Sequence, residues 1–387
     1  MQKFFIALFL LLLTACSSTK QETGQTLLLG GKPISLDETS QLIASELFDT
    51  ITYIPLETND TLLLGYVEHP KLTSRGIYFI SDRSLYLYDL DTGKGLLKIA
   101  RQGNGPEEYR SVADAWIDAH SGHVELLDNN RKQILVYDSV GNFLHALPLP
   151  SMPFAFAKDE EGTYWFYNNN QMTDSSRSKV VHYNVTSGKV LGEYFPIDPH
   201  LADYFYIMDA NNFAATKEGI YYMASPSDTI YRLGGDVTSA YALGLDNYKV
   251  PDSFWQANYA DIMDFVPKAN SRDYVYSMAN FSLNKDAVMA AFIWKENLYW
   301  SFSYLSEKEI HAAHYVHDDF HFTKAFELSS ESIPFVMDED YLYGFLPAEQ
   351  FMEWCREYAK APDMQELIKQ YGLDEQANPI LMKCKLK

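Results

Sequence analysis

Strand-length runs of apolar and aromatic residues, broken by Asp-, Asn- and Gly-rich turns, recur along the chain from Gly76 onward. IYFISDRSLYLYDLDTGKGLLKI begins at Ile77 and VELLDNNRKQILVYDSVGNFLHAL at Val124, with looser copies starting at Thr163 and Ile220. Each phrase is an aromatic strand, a turn, a strand ending in tyrosine, a second turn and a further strand. Aromatic and β-branched residues fill the runs, and Asp-Asn, Ser-Gly and Thr-Gly punctuate them, as hairpins require. The strand-ending tyrosines are Tyr88, Tyr137, Tyr183 and Tyr231, spaced 49, 46 and 48 residues apart. A fifth copy, NLYWSFSYLSEKEI, places Tyr304 after a longer gap of 73. A period of about 40–50 residues with about four strands per repeat is the pattern of a β-propeller.

The five copies run from about Gly65 to Asp319. IPFVMDEDYLYGFL from Ile333 and NPILMKCKLK from Asn378 supply about three more strands, and ITYIPLET (51–58) is strand-like but precedes the first full copy. The economical arrangement uses 51–58 to complete the last blade, so that strands from both ends close the ring. The expected fold is an all-β, six-bladed β-propeller of four-stranded antiparallel blades over residues 46–387. A seventh blade would need another repeat, for which the chain has no room.

Helical periodicity interrupts this pattern twice. PDSFWQANYADIMDFV (251–266) puts Trp255, Tyr259, Ile262, Met263 and Val266 on one face. Between 348 and 372, Phe351, Trp354, Cys355 and Tyr358 form one stripe and Met364, Leu367, Ile368 and Tyr371 another, with Pro362 as a start signal and Gly372 as a stop. The first insertion accounts for the 73-residue gap; the second falls inside the last blade.

Composition narrows the function classes. With 387 residues, 47% hydrophobic and 15% aromatic, the chain can bury a large core. A net charge of −21 repels phosphate backbones and argues against nucleic acid as a partner. Three cysteines exclude a disulfide scaffold. The N-terminus carries Lys3, an apolar run from Phe4 to Leu13, and then Leu-Thr-Ala-Cys at 13–16. The run is too short to span a bilayer and reads as a secretory signal over 1–15. The quartet resembles a bacterial lipobox, which makes Cys16 the expected lipid attachment residue and the lipid the only membrane anchor. Residues 16–45 are polar and Gly-dotted, the composition of a flexible tether.

RQGNGPEEY (101–109), between the first two copies, resembles the Gly-x-Gly-Pro-x-Glu-Tyr connector of NHL-type six-bladed propellers. Together with YIPLET (53–58) and the Tyr-Asp-x-x-Gly turns, it is similar to the six-bladed propeller lipoproteins of Bacteroidetes. The resemblance is strongest from Tyr53 to Leu149. It implies a propeller in the cell envelope, on the outer membrane, with the leaflet undecided, and it supplies no reaction.

Candidate chemistry is sparse. His311, His314, His317 and His321 crowd together, but strand alternation sends His311 and His317 to one side and His314 to the other. They read as a polar, solvated edge strand, and no metal or other cofactor is expected. Cys355 and Cys384 read as buried small hydrophobes, the alternative being a disulfide in an oxidising compartment. Asp128-Asn129-Asn130, Asn168-Asn169-Asn170 and Asp318-Asp319 read as turns rather than calcium ligands. Thr61 and Ser139 sit in short Asp-Thr/Ser-apolar patterns that match an envelope O-glycosylation signal. The connector glycines serve the turn between blades, with Arg101 and Glu108 expected to pair across it and Tyr109 beside them. Asp264 and Arg272 lie in the aromatic insertion, on loops of the kind where binding residues concentrate. The expectation is a lipid-anchored binding or scaffolding module for a protein, peptide or glycan, with Arg101, Glu108, Tyr109, Asp264 and Arg272 as candidate contacts. The rival is a propeller lyase or hydrolase working in the central channel; a purely structural part of an envelope complex is a third possibility. Oligomeric state is not legible.

Overall fold

The computed structural model describes residues 26–172, 176–199, 202 and 211–387. They form a β-propeller. Blade 1 comprises Glu68–Thr73, Gly76–Ser81, Ser84–Tyr88 and Gly95–Ile99. Blade 2 comprises Asp114–Ile117, Val124–Asp128, Gln133–Tyr137 and Phe143–Pro148. Blade 3 has Ala155–Lys158, Tyr164–Tyr167, Ser178–Asn184 and Lys189–Pro196; blade 4 has Phe213–Thr216, Gly219–Tyr222, Thr229–Leu233 and Thr238–Ala242. Blade 5 has Ser277–Leu283, Ala287–Trp294, Asn297–Tyr304 and His311–Ala313. Blade 6 runs Phe335–Met337, Tyr341–Leu346, Ile380–Leu386 and Phe48–Pro55, so strands from the two ends of the chain lie side by side.

The expected count of six is overturned, because the described residues form seven sheets. The seventh has three strands, Gln41–Ile43 parallel to Tyr315–His317, and Phe326–Glu327 antiparallel to the latter. It eluded the repeat search because it is not a repeat: its strands are two or three residues long and come from distant parts of the chain. Leu42, Val316, Phe322 and Phe326 join the core that blades 5 and 6 build with Met289, Trp300, Leu342 and Met382.

Burial follows position in the blade. The second and third strands of blade 1 are packed on both faces, while its outermost strand alternates. Aromatic rings bridge neighbouring blades, as where Phe79 of blade 1 meets Phe345 of blade 6 edge-on at 5.4 Å. The repeat tyrosines all lie on third strands, Tyr88 and Tyr137 at their ends and Tyr183 and Tyr231 within them, and in each of those four blades the ladder to the outer strand slips register at that tyrosine. The repeated residue therefore marks a bulge that turns the outer edge. Gly76 opens a second strand at φ +147°, where a Cβ would lie 2.0 Å from the Tyr88 carbonyl oxygen.

Because each blade is antiparallel, its inner-to-second and third-to-outer turns leave one face, and everything else leaves the other. The first face carries short turns pinned by aspartates: Asp89 accepts from Thr92 N–H at 2.8 Å, Asp118 from Ser121 N–H at 2.8 Å and Asp138 from Val140 N–H at 3.0 Å. The opposite face carries the blade-to-blade connectors 56–67, 100–113, 149–154 and 243–276, and also the excursion 347–379 between the second and third strands of blade 6. Helices appear where the sequence placed them, at Asp252–Trp255 and Ile262–Asn270 and at Ala348–Glu357 and Asp363–Tyr371. Trp255, Tyr259, Ile262 and Val266 pack with Phe254 and Phe265 in a small core of their own, but Met263, expected on that stripe, is 76% exposed. The helix starts only at Ile262, so the residues before it do not share its phase.

The segment before blade 6 is a belt. Leu27–Leu28 adds a parallel fifth strand to the outer edge of blade 4. Ile34 N–H then donates to the Gly244 carbonyl, Ser40 Oγ to the Ala312 carbonyl, and Gln41–Ile43 enters the seventh sheet. Leu29, Ile34, Leu36 and Leu42 are buried along this path. The flexible tether expected over 16–45 therefore does not extend over 26–45; residues 16–25, with Cys16, and the signal segment 1–15 lie outside the described residues.

Candidate functional site

The inner strands enclose a central channel. Blades 1, 2, 4, 5 and 6 line a cavity of about 230 Å³, with apolar walls that include Leu72, Trp116, Phe213, Phe281 and Met337. Among the described residues its one charged lining residue is Lys71, whose Nζ donates to Asp114 Oδ1 at 2.6 Å and to the Ala115 carbonyl at 2.9 Å. Asp114 is almost wholly buried, and its other oxygen accepts the Phe156 N–H at 2.8 Å, which ties the inner strands of blades 1, 2 and 3 together. The ammonium also lies over the rings of Trp116 and Phe156 at 5.9 and 5.6 Å. Tyr78 accepts the Ile117 N–H at 3.3 Å, and burial pushes its phenol well above the ordinary tyrosine range. Ser282 Oγ accepts from Met337 N–H at 2.9 Å. Asn211, 8% exposed, has its Oδ1 without a hydrogen-bond partner among the described residues.

On the connector face further hollows open, one of about 610 Å³ against the helices of 347–379, lined by Met352, Arg356 and Ile368, and two others. One, of about 290 Å³, lies between blades 6 and 1 and is lined by Tyr66, Val67, Glu331, Pro334 and Pro347. Tyr66 is 68% exposed there. The other, of about 470 Å³, lies against the helical insertion and includes Asp228, Lys249, Asp252, Trp255 and Gln256. Lys249 bridges Asp228 at 3.0 Å and Asp246 at 2.8 Å; burial lowers its pKa, but the bonds to the two carboxylates outweigh it and the net shift is upward.

The residues singled out from the sequence serve mainly to hold loops. Tyr109 is fully buried: its hydroxyl donates to the Ile99 carbonyl and accepts the Arg101 N–H. Arg101 pairs with Glu107 at 3.5 Å and not with Glu108, whose carboxylate folds back onto the Gly105 N–H at 2.7 Å. The tight Gly103–Gly105 turn brings the loop backbone to Glu108 and leaves Glu107 facing out beside Arg101. Arg131 completes the clasp by donating to the carbonyls of Gly105 and Glu108. Asp264 pairs with Lys268 at 2.7 Å, four residues on along its helix, and Arg272 lies over the Phe254 ring at 5.2 Å. The structure brings none of these five to the channel cavity.

The histidine run is not a solvated edge. The belt covers it: His314 is 5% exposed with Nε2 at 2.8 Å from the Glu38 carbonyl, and His317 Nε2 lies 3.2 Å from the Phe322 carbonyl. His321 Nδ1 sits 2.8 Å from Asp318, which also accepts from Tyr53; burial lowers the imidazole pKa, but bonding to Asp318 outweighs it and the net shift is upward. Among the described residues no three His, Cys, Asp or Glu side chains converge to hold a metal ion. Cys355 and Cys384 are both buried and unbonded to each other; burial pushes the Cys355 thiol up to about 12. Thr61 is exposed and bonded to Asn59 at 2.7 Å.

Sequence reasoning missed Lys71, Asp114, Trp116 and Asn211. Inner strands here are short and lack the strand-ending tyrosine, so they fell between the repeats. A lysine inside an otherwise sparsely charged strand was the available signal.

Among the described residues no helix is long and apolar enough to cross a membrane. No curated protein sequence matches the chain. Solved structures of similar fold include two from Bacteroides. A Bacteroides fragilis protein provisionally named as exported superposes with a TM-score of 0.72 at 14% identity, covering 94% of this chain and all of its own. A member of the duf4221 family from Bacteroides vulgatus reaches 0.51 at 10% identity, covering 88% of this chain and 97% of its own. At these identities the likeness is one of fold alone. The sequence itself is matched from residue 33 to residue 385, which takes in every sheet strand except Leu27–Leu28 and the last residue of Ile380–Leu386, and the chain belongs to the family described as Domain of unknown function (DUF4934).

Proposed function

We propose that the protein is an exported, lipid-anchored propeller of the cell envelope that binds a partner through its connector face. The observation that carries this reading is the asymmetry of the two faces: among the described residues the long connections within and between blades, including both helical insertions, leave from one side, while the other carries turns of a few residues and the entry of the belt at Phe48. Scaffolds present binding loops in this way. The channel chemistry favours binding over the lyase or hydrolase alternative. Among the described residues its lining holds no His, Asp or Glu, and its lysine is engaged with Asp114, so these residues offer no free pair of groups for general acid–base work. Export and anchoring rest on the signal-like run and the lipobox-like Leu13–Cys16 quartet, and the provisional name of the B. fragilis protein agrees with export.

The face assignment is tested by photo-crosslinking in intact cells from a benzoylphenylalanine placed at Tyr66 or at Val140, which is 70% exposed in a short turn of the opposite face. A discrete adduct from position 66 and none from position 140 is expected. Equal adducts from both, or none from 66, would overturn the reading. For the anchor, Cys16→Ser is expected to abolish incorporation of an alkyne-tagged fatty acid and to release the protein from membranes. Continued labelling, or membrane retention without labelling, would remove Cys16 from that role.

A further inference from the structure

We propose that the central channel binds one uncharged, hydroxyl-bearing ring of about the size of a single sugar residue. This rests on the binding-module reading and adds a ligand class to it. The largely apolar lining also carries polar side chains, Thr73, Tyr78 and Thr216 among them, and three others, Lys71, Asn211 and Ser282, have capacity left over. An ammonium has three N–H donors, and Lys71 commits two of them to protein acceptors at 2.6 and 2.9 Å. Asn211 is buried with an amide oxygen that accepts nothing among the described residues, an arrangement that is costly unless a ligand donor satisfies it. Ser282 accepts from Met337 and keeps its own proton to donate.

The charge of the occupant follows from the ion pair. Lys71 and Asp114 neutralise each other, so an anion reaching the lysine would also meet the aspartate and a cation would meet the ammonium. A hydroxyl suits both free positions, accepting from Lys71 and donating to Asn211 Oδ1. The shape follows from the walls. Trp116 is only half-buried although it sits on an inner strand, because its ring lines the cavity, where it can take the C–H face of a saturated ring. The cavity of about 230 Å³ admits a single ring and not an oligosaccharide.

The test is ligand-observed NMR on the purified full-length protein with methyl glycosides of neutral hexoses and N-acetylhexosamines, set against glucuronate and glucosamine. Saturation transfer from the protein to at least one neutral glycoside, and to neither charged sugar, is expected. Asn211→Leu should weaken that binding by roughly tenfold, equivalent to about 1.4 kcal/mol, while leaving the melting temperature unchanged or higher, because the substitution removes an unpaired buried oxygen. Ser282→Ala should weaken it in the same sense. Failure of every neutral glycoside to bind, stronger binding of a charged sugar, or full binding by Asn211→Leu would each overturn the proposal. The crosslink from position 66 separates the two ideas: if it persists while no sugar binds, the channel assignment fails and the connector-face reading stands.

Discussion

Removing Asn378–Lys387 is expected to leave a chain that does not fold cooperatively. The deletion takes out the third strand of blade 6, which is paired on one side with Tyr341–Leu346 and on the other with Phe48–Pro55. Ile380, Leu381 and Cys384 are fully buried, and Met382 and Leu386 nearly so. At about 1.5–3 kcal/mol for each large apolar side chain buried, the loss rivals the ~5–15 kcal/mol by which a folded domain is usually stable. Asn378 adds a polar staple: its amide donates to the carbonyls of Glu57 and Leu62 at 2.7 and 2.6 Å and accepts the Leu64 N–H at 2.9 Å. The deletion therefore also frees the connector into blade 1 and exposes two unpaired strand edges. Circular dichroism melts and limited proteolysis provide the check. A soluble truncated protein with the parental melting transition would show that the two ends do not hold the ring.

Lys71→Met is expected to cost about 3–5 kcal/mol, the usual penalty for leaving one member of a buried pair uncompensated. Asp114 is left with two backbone N–H donors, from Ala115 and Phe156, and no cation. The double variant Lys71→Met with Asp114→Asn should recover most of the loss, since an amide oxygen still accepts those N–H groups without carrying a charge. Urea unfolding of the four proteins measures the coupling. Strict additivity would mean that the pair contributes nothing as a pair.

The sequence showed most of what periodicity can show. Aromatic second and third strands repeat because blades stack on one another there, and Tyr88, Tyr137, Tyr183 and Tyr231 repeat because each turns an outer edge. Both helical insertions were visible from their apolar stripes and their Pro and Gly boundaries. The seventh sheet was not, because strands of two or three residues carry no alternation to detect. The belt was misread for a related reason: Leu29, Ile34 and Leu42 are buried one at a time against distant edges, which leaves a polar-looking segment between them. The channel stayed hidden because its members, from Lys71 to Met337, come from five separate short strands, and only closure of the ring brings them together. The loop residues Arg101, Glu108 and Tyr109 drew attention through a conspicuous motif whose visible work is to clasp a turn.

The belt also sets how the molecule would hang from a membrane. Nine residues lie between Cys16 and Thr26, the first described residue, whose hydroxyl bonds Ser239. Fully stretched at about 3.3–3.6 Å per residue, they reach at most about 35 Å, and they attach at the outer edge of blade 4, not on the propeller axis. A lipid on Cys16 would thus act as a short leash fixed to the side of a wheel, leaving both flat faces clear of the bilayer. Tension on that leash would load the two-residue parallel pairing at Leu27–Leu28 first, then the Ile34 and Ser40 contacts in turn, and would reach the closing sheet last. The short pairings would work as a series of weak links that yield before the ring does.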